Sequence, residues 1–285
     1  MLDKTAHQEI AELTRRIRFD IIKMTYHAGS GHPGGSLSIT DILAVLYSKH
    51  LRHKPENPDW ENRDRVVLSK GHACPAFYAV LSELGYFPRE ELWKLRKLGA
   101  MLQGHPALLG GAPGTEVASG SLGQGLSIAV GMAIASKTLD NSDRRNYAIL
   151  GDGEIQEGQI WEAFMAGGHH HLDNLVAIID NNDLQIDGFV SDVMSVYPIV
   201  DKIRSFNWHV IECDGHDIEA LDSAFSEANE FKGRPTAIIA KTVKGKGVSF
   251  MENEAGWHGK APNRELAHRA VKDLGFPEKS LDEDI

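Results

Sequence analysis

The chain has 285 residues, 42% of them apolar and 25% charged, which excludes disorder along its whole length and is ample for a sizeable core. Thirty basic residues against 40 acidic ones leave a net charge of −10. That balance argues against a nucleic-acid footprint, which needs a basic face.

No run of about 18 apolar residues is present to span a membrane, and the first residues lack the apolar stretch of a signal peptide. Two cysteines, Cys74 and Cys213, cannot build a disulfide framework, and the expectation is core packing in a reducing cytoplasm. The residue types left to place are 14 His and 28 Gly.

Residues 5–26 carry Ile10, Leu13, Ile17 and Ile21 at three- and four-residue steps, the pattern of an amphipathic helix. The run Gly29-Ser30-Gly31-His32-Pro33-Gly34-Gly35 predicts a break in which no helix survives. A second helix is expected over 40–50, with Ser38 or Thr40 as its N-cap. A loop at 55–58, a short strand at 65–69 and helices at 74–84 and 88–97 follow. Residues 99–125 are long for a structureless stretch inside a compact domain, and such loops are often functional. A small-residue helix is expected over 123–139.

The rest of the chain alternates. Strands are expected at 147–150, 175–180, 208–212 and 235–241, with helices at 157–170 and 217–231. Apolar strands separated by helices imply parallel pairing through right-handed crossovers. The fold class expected is therefore α/β: a doubly wound, mostly parallel sheet buried by helices on both faces, in one large domain covering 1–285.

Ligands of such sheets bind beyond the carboxyl ends of the strands. One expected strand runs into Gly151-Asp152-Gly153-Glu154 and then a helix, where glycine amides and a helix N-terminus suit an anion. Asp152 would repel a bare phosphate, and a divalent cation resolves the conflict: the carboxylate holds the metal and the metal holds the phosphates. The next strand ends in Asp180-Asn181-Asn182-Asp183-Leu184, which adds hard oxygen donors from Asn182 and a loop carbonyl. Gly-Asp-Gly at one strand end with Asn-Asn at the next is the signature of thiamine diphosphate enzymes.

With these motifs stand Ser30-Gly31-His32-Pro33-Gly34, Leu68-Ser69-Lys70-Gly71-His72-Ala73, Gly104-His105-Pro106, Gly120-Ser121-Leu122-Gly123-Gln124-Gly125, Gly151 to Gly158 and Trp257-His258-Gly259. In this order they resemble the N-terminal, diphosphate-binding region of transketolases along nearly the whole chain. The run Lys244-Gly245-Lys246-Gly247-Val248-Ser249-Phe250 is similar to the N-terminal subunits of split, two-chain transketolases. Ser121 departs from full-length transketolases, which usually carry Pro there, and the 241–258 segment differs from their longer loop.

The resemblance implies thiamine diphosphate and Mg²⁺ (or Ca²⁺ or Mn²⁺) as cofactors. Asp152, Asn182 and the carbonyl of Leu184 match the metal ligands. Gly153, His72 and His258 match groups at the diphosphate, and Gly120, Ser121 and Leu122 match a loop against the cofactor. His32, His105 and His258 match histidines that contact the sugar and move protons. His258 or His32 is the candidate base toward the donor hydroxyl, while His105 binds donor hydroxyls. Glu157 and Glu162 match acidic residues buried at a subunit interface near the cofactor. The residues agree with these roles, since polyol hydroxyls and proton shuttling call for groups that donate, accept and titrate near neutrality.

By the same resemblance, the glutamate that activates the cofactor and the aromatics that stack on its ring lie on a pyrimidine-binding domain, and nothing after residue 260 supplies them. The expectation is a subunit or fragment that transfers a two-carbon ketol unit between sugar phosphates only with a partner chain carrying that domain, most simply as α2β2. The enzymatic alternatives are a subunit like 1-deoxyxylulose-5-phosphate synthase or like a 2-oxo acid dehydrogenase. A non-catalytic module that binds cofactor or partner is the alternative from another class. The run His169-His170-His171 reads as helix-end decoration, because adjacent helical residues do not face one point. Lys241, Lys244 and Lys246 read either as a device to steer phosphorylated substrates or as a solvated basic loop.

Overall fold

The computed structural model describes residues 2–283. Ten α-helices are present among them: α1 (Lys4–Ala28), α2 (Pro33–Ser38), α3 (Thr40–Val45), α4 (Cys74–Glu83), α5 (Gln124–Ile134), α6 (Gly158–His169), α7 (Val190–Met194), α8 (Ile199–Ser205), α9 (Ile218–Glu230) and α10 (Arg264–Asp273). The strands are β1 (Arg65–Leu68), β2 (Asn146–Gly151), β3 (Leu175–Asn181), β4 (Leu184–Gln185), β5 (Gly188–Phe189), β6 (His209–Asp214) and β7 (Thr236–Lys241).

Five strands form one sheet in the order β1-β2-β3-β7-β6, and every neighbouring pair is parallel. β4 and β5 form a separate antiparallel hairpin after β3. The doubly wound parallel sheet expected from the alternation is thus the observed fold.

Successive strand side chains point to opposite faces, and here both faces are apolar. Tyr147, Ile149, Val176, Ile178 and Ile238 join the core shared with α1 to α4, α9 and α10. Ala148, Leu150, Ala177, Ile179 and Ile239 join the core shared with α5, α6 and α8. Neither face of the central strands is left for water, so β2, β3 and β7 read as nearly continuous apolar runs, while the edge strand β6 exposes Glu212 and Asp214.

The glycine-rich run after α1 differs from its expectation. Gly29 closes α1 at φ +61 and donates its N–H to Tyr26 O at 3.0 Å, as a left-handed C-cap does. A new helix, α2, then starts at Pro33 and passes through Gly34 and Gly35. Proline presets the first helical φ, and Gly34 admits a close backbone: a methyl there would lie 2.8 Å from Trp257 O. Here the glycines permit close approach rather than break a helix. Ser38 and Thr40 are not caps, since Ser38 is the last residue of α2 and its hydroxyl donates to Asp180 at 2.6 Å.

Other boundaries moved as well. The helix expected over 88–97 is a 3₁₀ segment, Arg89–Lys94, ended by Arg96 at φ +61. α5 stops at Ile134 and continues as a π turn to Leu139. α7, α8, α10 and the β4–β5 hairpin were not foreseen.

α5 packs its start against the loop after β1. A methyl on Gly125 would fall 2.5 Å from the Ser69 side chain and 2.6 Å from its Cα. Backbone cannot give way there, so Gly125→Ala should lose about 1–3 kcal/mol of stability, read as a lower midpoint in urea unfolding. An unchanged midpoint would mean this packing is looser than described.

Candidate functional site

The carboxyl ends of β1, β2, β3 and β7 converge on a cavity of about 90 Å³ lined by Lys70, His72, Leu122, Asp152, Leu184 and Lys244, among others. β2 and β3 are neighbours, so Gly151-Asp152-Gly153 and Asp180-Asn181-Asn182 do share one crevice. Gly153, Asn182 and His258 also line it.

Asp152 is buried, and its carboxylate accepts from the Gly153 N–H at 2.8 Å and from the Asn181 amide at 3.1 Å. Burial, with the Asp180 charge nearby, pushes its pKa up to about 6. Asn182 turns its amide nitrogen to Asp180 at 2.9 Å, while its oxygen accepts from the Leu184 N–H at 3.1 Å. The Leu184 carbonyl accepts from the Lys244 ammonium at 3.0 Å.

Four histidines surround the mouth. Ring centroids lie 4.9 Å apart for His72 and His258, 5.2 Å for His32 and His72, 5.6 Å for His32 and His258, and 6.2 Å for His32 and His105. Burial holds all four below the usual imidazole range, and cations nearby add to it: Arg96 beside His32 and His105, Lys244 beside His258, Lys70 beside His72. His32 falls to about 4 and His258 to about 3. The rings are therefore neutral near pH 7.

Gly120 holds φ +147, and a methyl there would stand 3.1 Å from the His105 ring. Leu122 reaches the cavity, whereas Ser121 is exposed. Glu157, the N-cap of α6, and Glu162 are both exposed in this chain. His169, His170 and His171 lie at the end of α6, away from the cavity lining.

Three groups at this end of the sheet were not singled out from the sequence. Lys70 is buried and paired with Asp180, and its ammonium also donates to Gly35 O at 3.2 Å. Glu154 is buried and accepts from Ser69 Oγ, from Gly123 N–H at 2.9 Å and from Gly151 N–H at 3.1 Å. Arg96 reaches Ser30 and His32 from the other side of the mouth.

Lys244 corrects the reading of the basic loop, because it is buried, lies 2.9 Å from His258 Nδ1, and has its pKa lowered by burial to about 8. Lys241 is exposed.

The donor set is a carboxylate, an amide oxygen and a backbone carbonyl, the hard oxygens that Mg²⁺ takes. Beside it stand two buried ammonium groups and a buried Gln185 amide nitrogen with no partner. A metal–diphosphate group fits this chemistry, since the oxygens would hold the cation and the N–H donors would meet the anion. Among the described residues no helix is long and apolar enough to cross a membrane.

Comparison with known proteins gives a family for this fold. Residues 6–282 match the family described as "Transketolase, thiamine diphosphate binding domain". The chain is 46% identical over 246 residues to the 6-deoxy-6-sulfo-D-fructose transketolase subunit SqwG of Clostridium sp. (strain MSTE9), covering 86% of this chain and 89% of that one. It is 42% identical over 254 residues to one subunit of the apulose-4-phosphate transketolase of Phocaeicola vulgatus, covering 89% of each. The solved transketolase of Campylobacter jejuni superposes with a TM-score of 0.88 at 37% identity, over 97% of this chain and 44% of that one. The chain likewise spans 43% of the length of the mammalian transketolases it matches. A parallel sheet with Asp152 and Asn182 at adjacent strand ends, four histidines at the mouth and a family match over nearly every residue lead to one assignment: the chain belongs to the transketolase family, as its thiamine diphosphate-binding domain.

Proposed function

We propose that this chain is the diphosphate-binding subunit of a two-chain transketolase, which moves a two-carbon ketol unit from a ketose to an aldose. The observation that carries this reading is the single crevice holding Asp152, Asn182 and Leu184 O on one side and the histidine ring of the mouth on the other. The two relatives matched over 89% of their length are both named as subunits, which supports a partner chain. One of those names specifies a sulfonated sugar and the other a phosphorylated one. A ketose with an anionic end is the substrate class we assign.

Asp152, Asn182 and the Leu184 carbonyl would hold Mg²⁺, and Gly153 N–H, His72 and His258 would face the diphosphate. Gly120, Ser121 and Leu122 would lie against the cofactor. When bound, thiamine diphosphate supplies a carbon nucleophile and an electron sink for carbon–carbon cleavage. Lys244, whose ammonium donates to Leu184 O in this structure, would stand beside the metal as a second cation for the diphosphate. His105 and His32 bind sugar hydroxyls, and His258, which lines the cavity, is placed to hold or move a hydroxyl proton.

The chain is one domain over its length, and the pyrimidine-binding domain, with its activating glutamate, comes from the partner. An α2β2 complex in the cytoplasm is the simplest assembly. Ile186, Phe189, Val193 and Met194 are exposed apolar side chains on and just after the β4–β5 hairpin beside the site, and Met165 is another on α6. Such patches mark interaction surfaces. Glu157 and Glu162 would be covered by the same docking.

The test is ketol transfer measured from the aldose released. The purified chain with Mg²⁺ and thiamine diphosphate should show no turnover. Adding a chain that carries the pyrimidine-binding domain should restore it. Full activity from this chain alone would overturn the proposal.

A further inference from the structure

Arg96 lies outside every motif at the cavity, yet it reaches the substrate side of the mouth. The 3₁₀ segment before it ends at Lys94, and Arg96 takes φ +61, uncommon for a side chain of this size. The turn is held by the Arg96 N–H, which donates to Leu102 O at 2.8 Å. This aims the guanidinium back over the loop after α1.

There one nitrogen of Arg96 donates to Ser30 Oγ at 2.8 Å and the other lies 3.4 Å from His32 Nδ1. Gly104 makes room on the far side, where a methyl would come within 2.8 Å of Arg96 Nε. The guanidinium therefore sits between the His32 loop and the His105 loop.

Arginine has five N–H donors and no acceptor, and it does not deprotonate in proteins. A contact from Arg96 thus requires His32 Nδ1 to be bare, and a neutral imidazole then carries its proton on Nε2. That nitrogen faces Gly259, next to His258: a methyl on Gly259 would lie 3.4 Å from it.

We propose that Arg96 is a positioning residue that holds His32 as its neutral Nε2–H tautomer, so that His32 donates a hydrogen bond to the ketose and is not the base. The idea rests on the transketolase reading for what His32 meets, but not for the tautomer. Of the two candidate bases, it leaves His258.

The groups facing the His32 ring are Arg96, His72, His105, His258 and Lys244. Among the described residues, none of the charges that act on it is an acid. Nothing there would favour a second proton on the ring, which agrees with its lowered pKa.

The experiment uses the full chain labelled with [¹⁵N]histidine, with no partner or cofactor. Long-range ¹H–¹⁵N spectra report which ring nitrogen carries the proton, and His32→Gln identifies the His32 signals. The wild type should show the Nε2–H form alone at pH 7. Arg96→Met should give both tautomers and move the protonation midpoint up by about one pH unit. Arg96→Lys keeps a cation and a donor and should recover most of the wild-type pattern.

An Nδ1–H form in the wild type, or spectra of Arg96→Met that match the wild type, would overturn the proposal. The wild-type tautomer decides the matter even if Arg96→Met fails to fold. In the reconstituted complex Arg96→Met should lower kcat about tenfold. If that complex shows no ketol transfer, the functional reading fails while the tautomer result stands.

Discussion

Asp152→Asn should abolish magnesium-dependent binding of thiamine diphosphate while leaving the chain folded. The side chain keeps its shape and its oxygen still accepts from Gly153 N–H, while the new amide nitrogen gives up the acceptor that met the Asn181 amide and the Asp183 N–H. The larger loss for a metal is the buried negative charge, the one anionic oxygen donor among Asp152, Asn182 and Leu184 O. A charge-assisted contact is worth about 1.5–3 kcal/mol, or roughly 10- to 150-fold in affinity.

The measurement is calorimetric titration of the cofactor at several Mg²⁺ concentrations, on the chain alone and with its partner. Wild-type affinity should rise with Mg²⁺, and the variant's should not. If Asp152→Asn binds with unchanged magnesium dependence, the metal assignment is wrong. Removing the metal from the wild type with a chelator should give the same weak binding.

The second large effect concerns Lys70. Its ammonium and the Asp180 carboxylate are both buried, and Asp180 also accepts from Ser38, Asn182 and Thr242. Burial alone would raise the Asp180 pKa, but the Lys70 charge overcomes this and holds it below the usual carboxylate range. Lys70→Met leaves that buried carboxylate without its paired cation. Breaking a buried pair from one side costs about 3–5 kcal/mol, so the urea midpoint should fall steeply.

The double variant Lys70→Met, Asp180→Leu removes both charges and should recover part of the loss. A Lys70→Met chain as stable as the wild type would mean the pair is hydrated and not the anchor described here.

Much of this site could be read from the chain because its chemistry is local. Gly151-Asp152-Gly153 and Asn181-Asn182 each sit at the end of an apolar run, and parallel neighbours place such ends side by side. The histidines were found in the same way, each beside Gly or Pro. Arg96 and Lys70 were missed because their partners are distant in sequence: Lys70 meets Asp180 across the sheet, and Arg96 meets His32 across a loop. Sequence spacing carries no trace of such contacts.

Glu154 stood inside a quoted motif yet had no role, because its three donors come from three different segments. The helix through Gly34 and Gly35 was missed for a related reason. Glycine argues against helix locally, whereas close packing beneath Trp257 favours it here, and only the fold reveals that neighbour.

Glu154 has a mechanical consequence. Its carboxylate fastens the Gly123 N–H, just before α5, to the ends of β1 and β2, so the loop carrying Gly120 to Leu122 is clamped to the sheet at one end. At its other end the loop is pinned by Ser119 N–H to Pro106 O at 3.2 Å, next to His105. The proposed cofactor wall, Gly120 to Leu122, is thereby held between two fixed points, one of them beside His105, the proposed sugar-binding histidine. A ligand that stills either half removes freedom from the other, so the second arrival finds its side of the mouth already set.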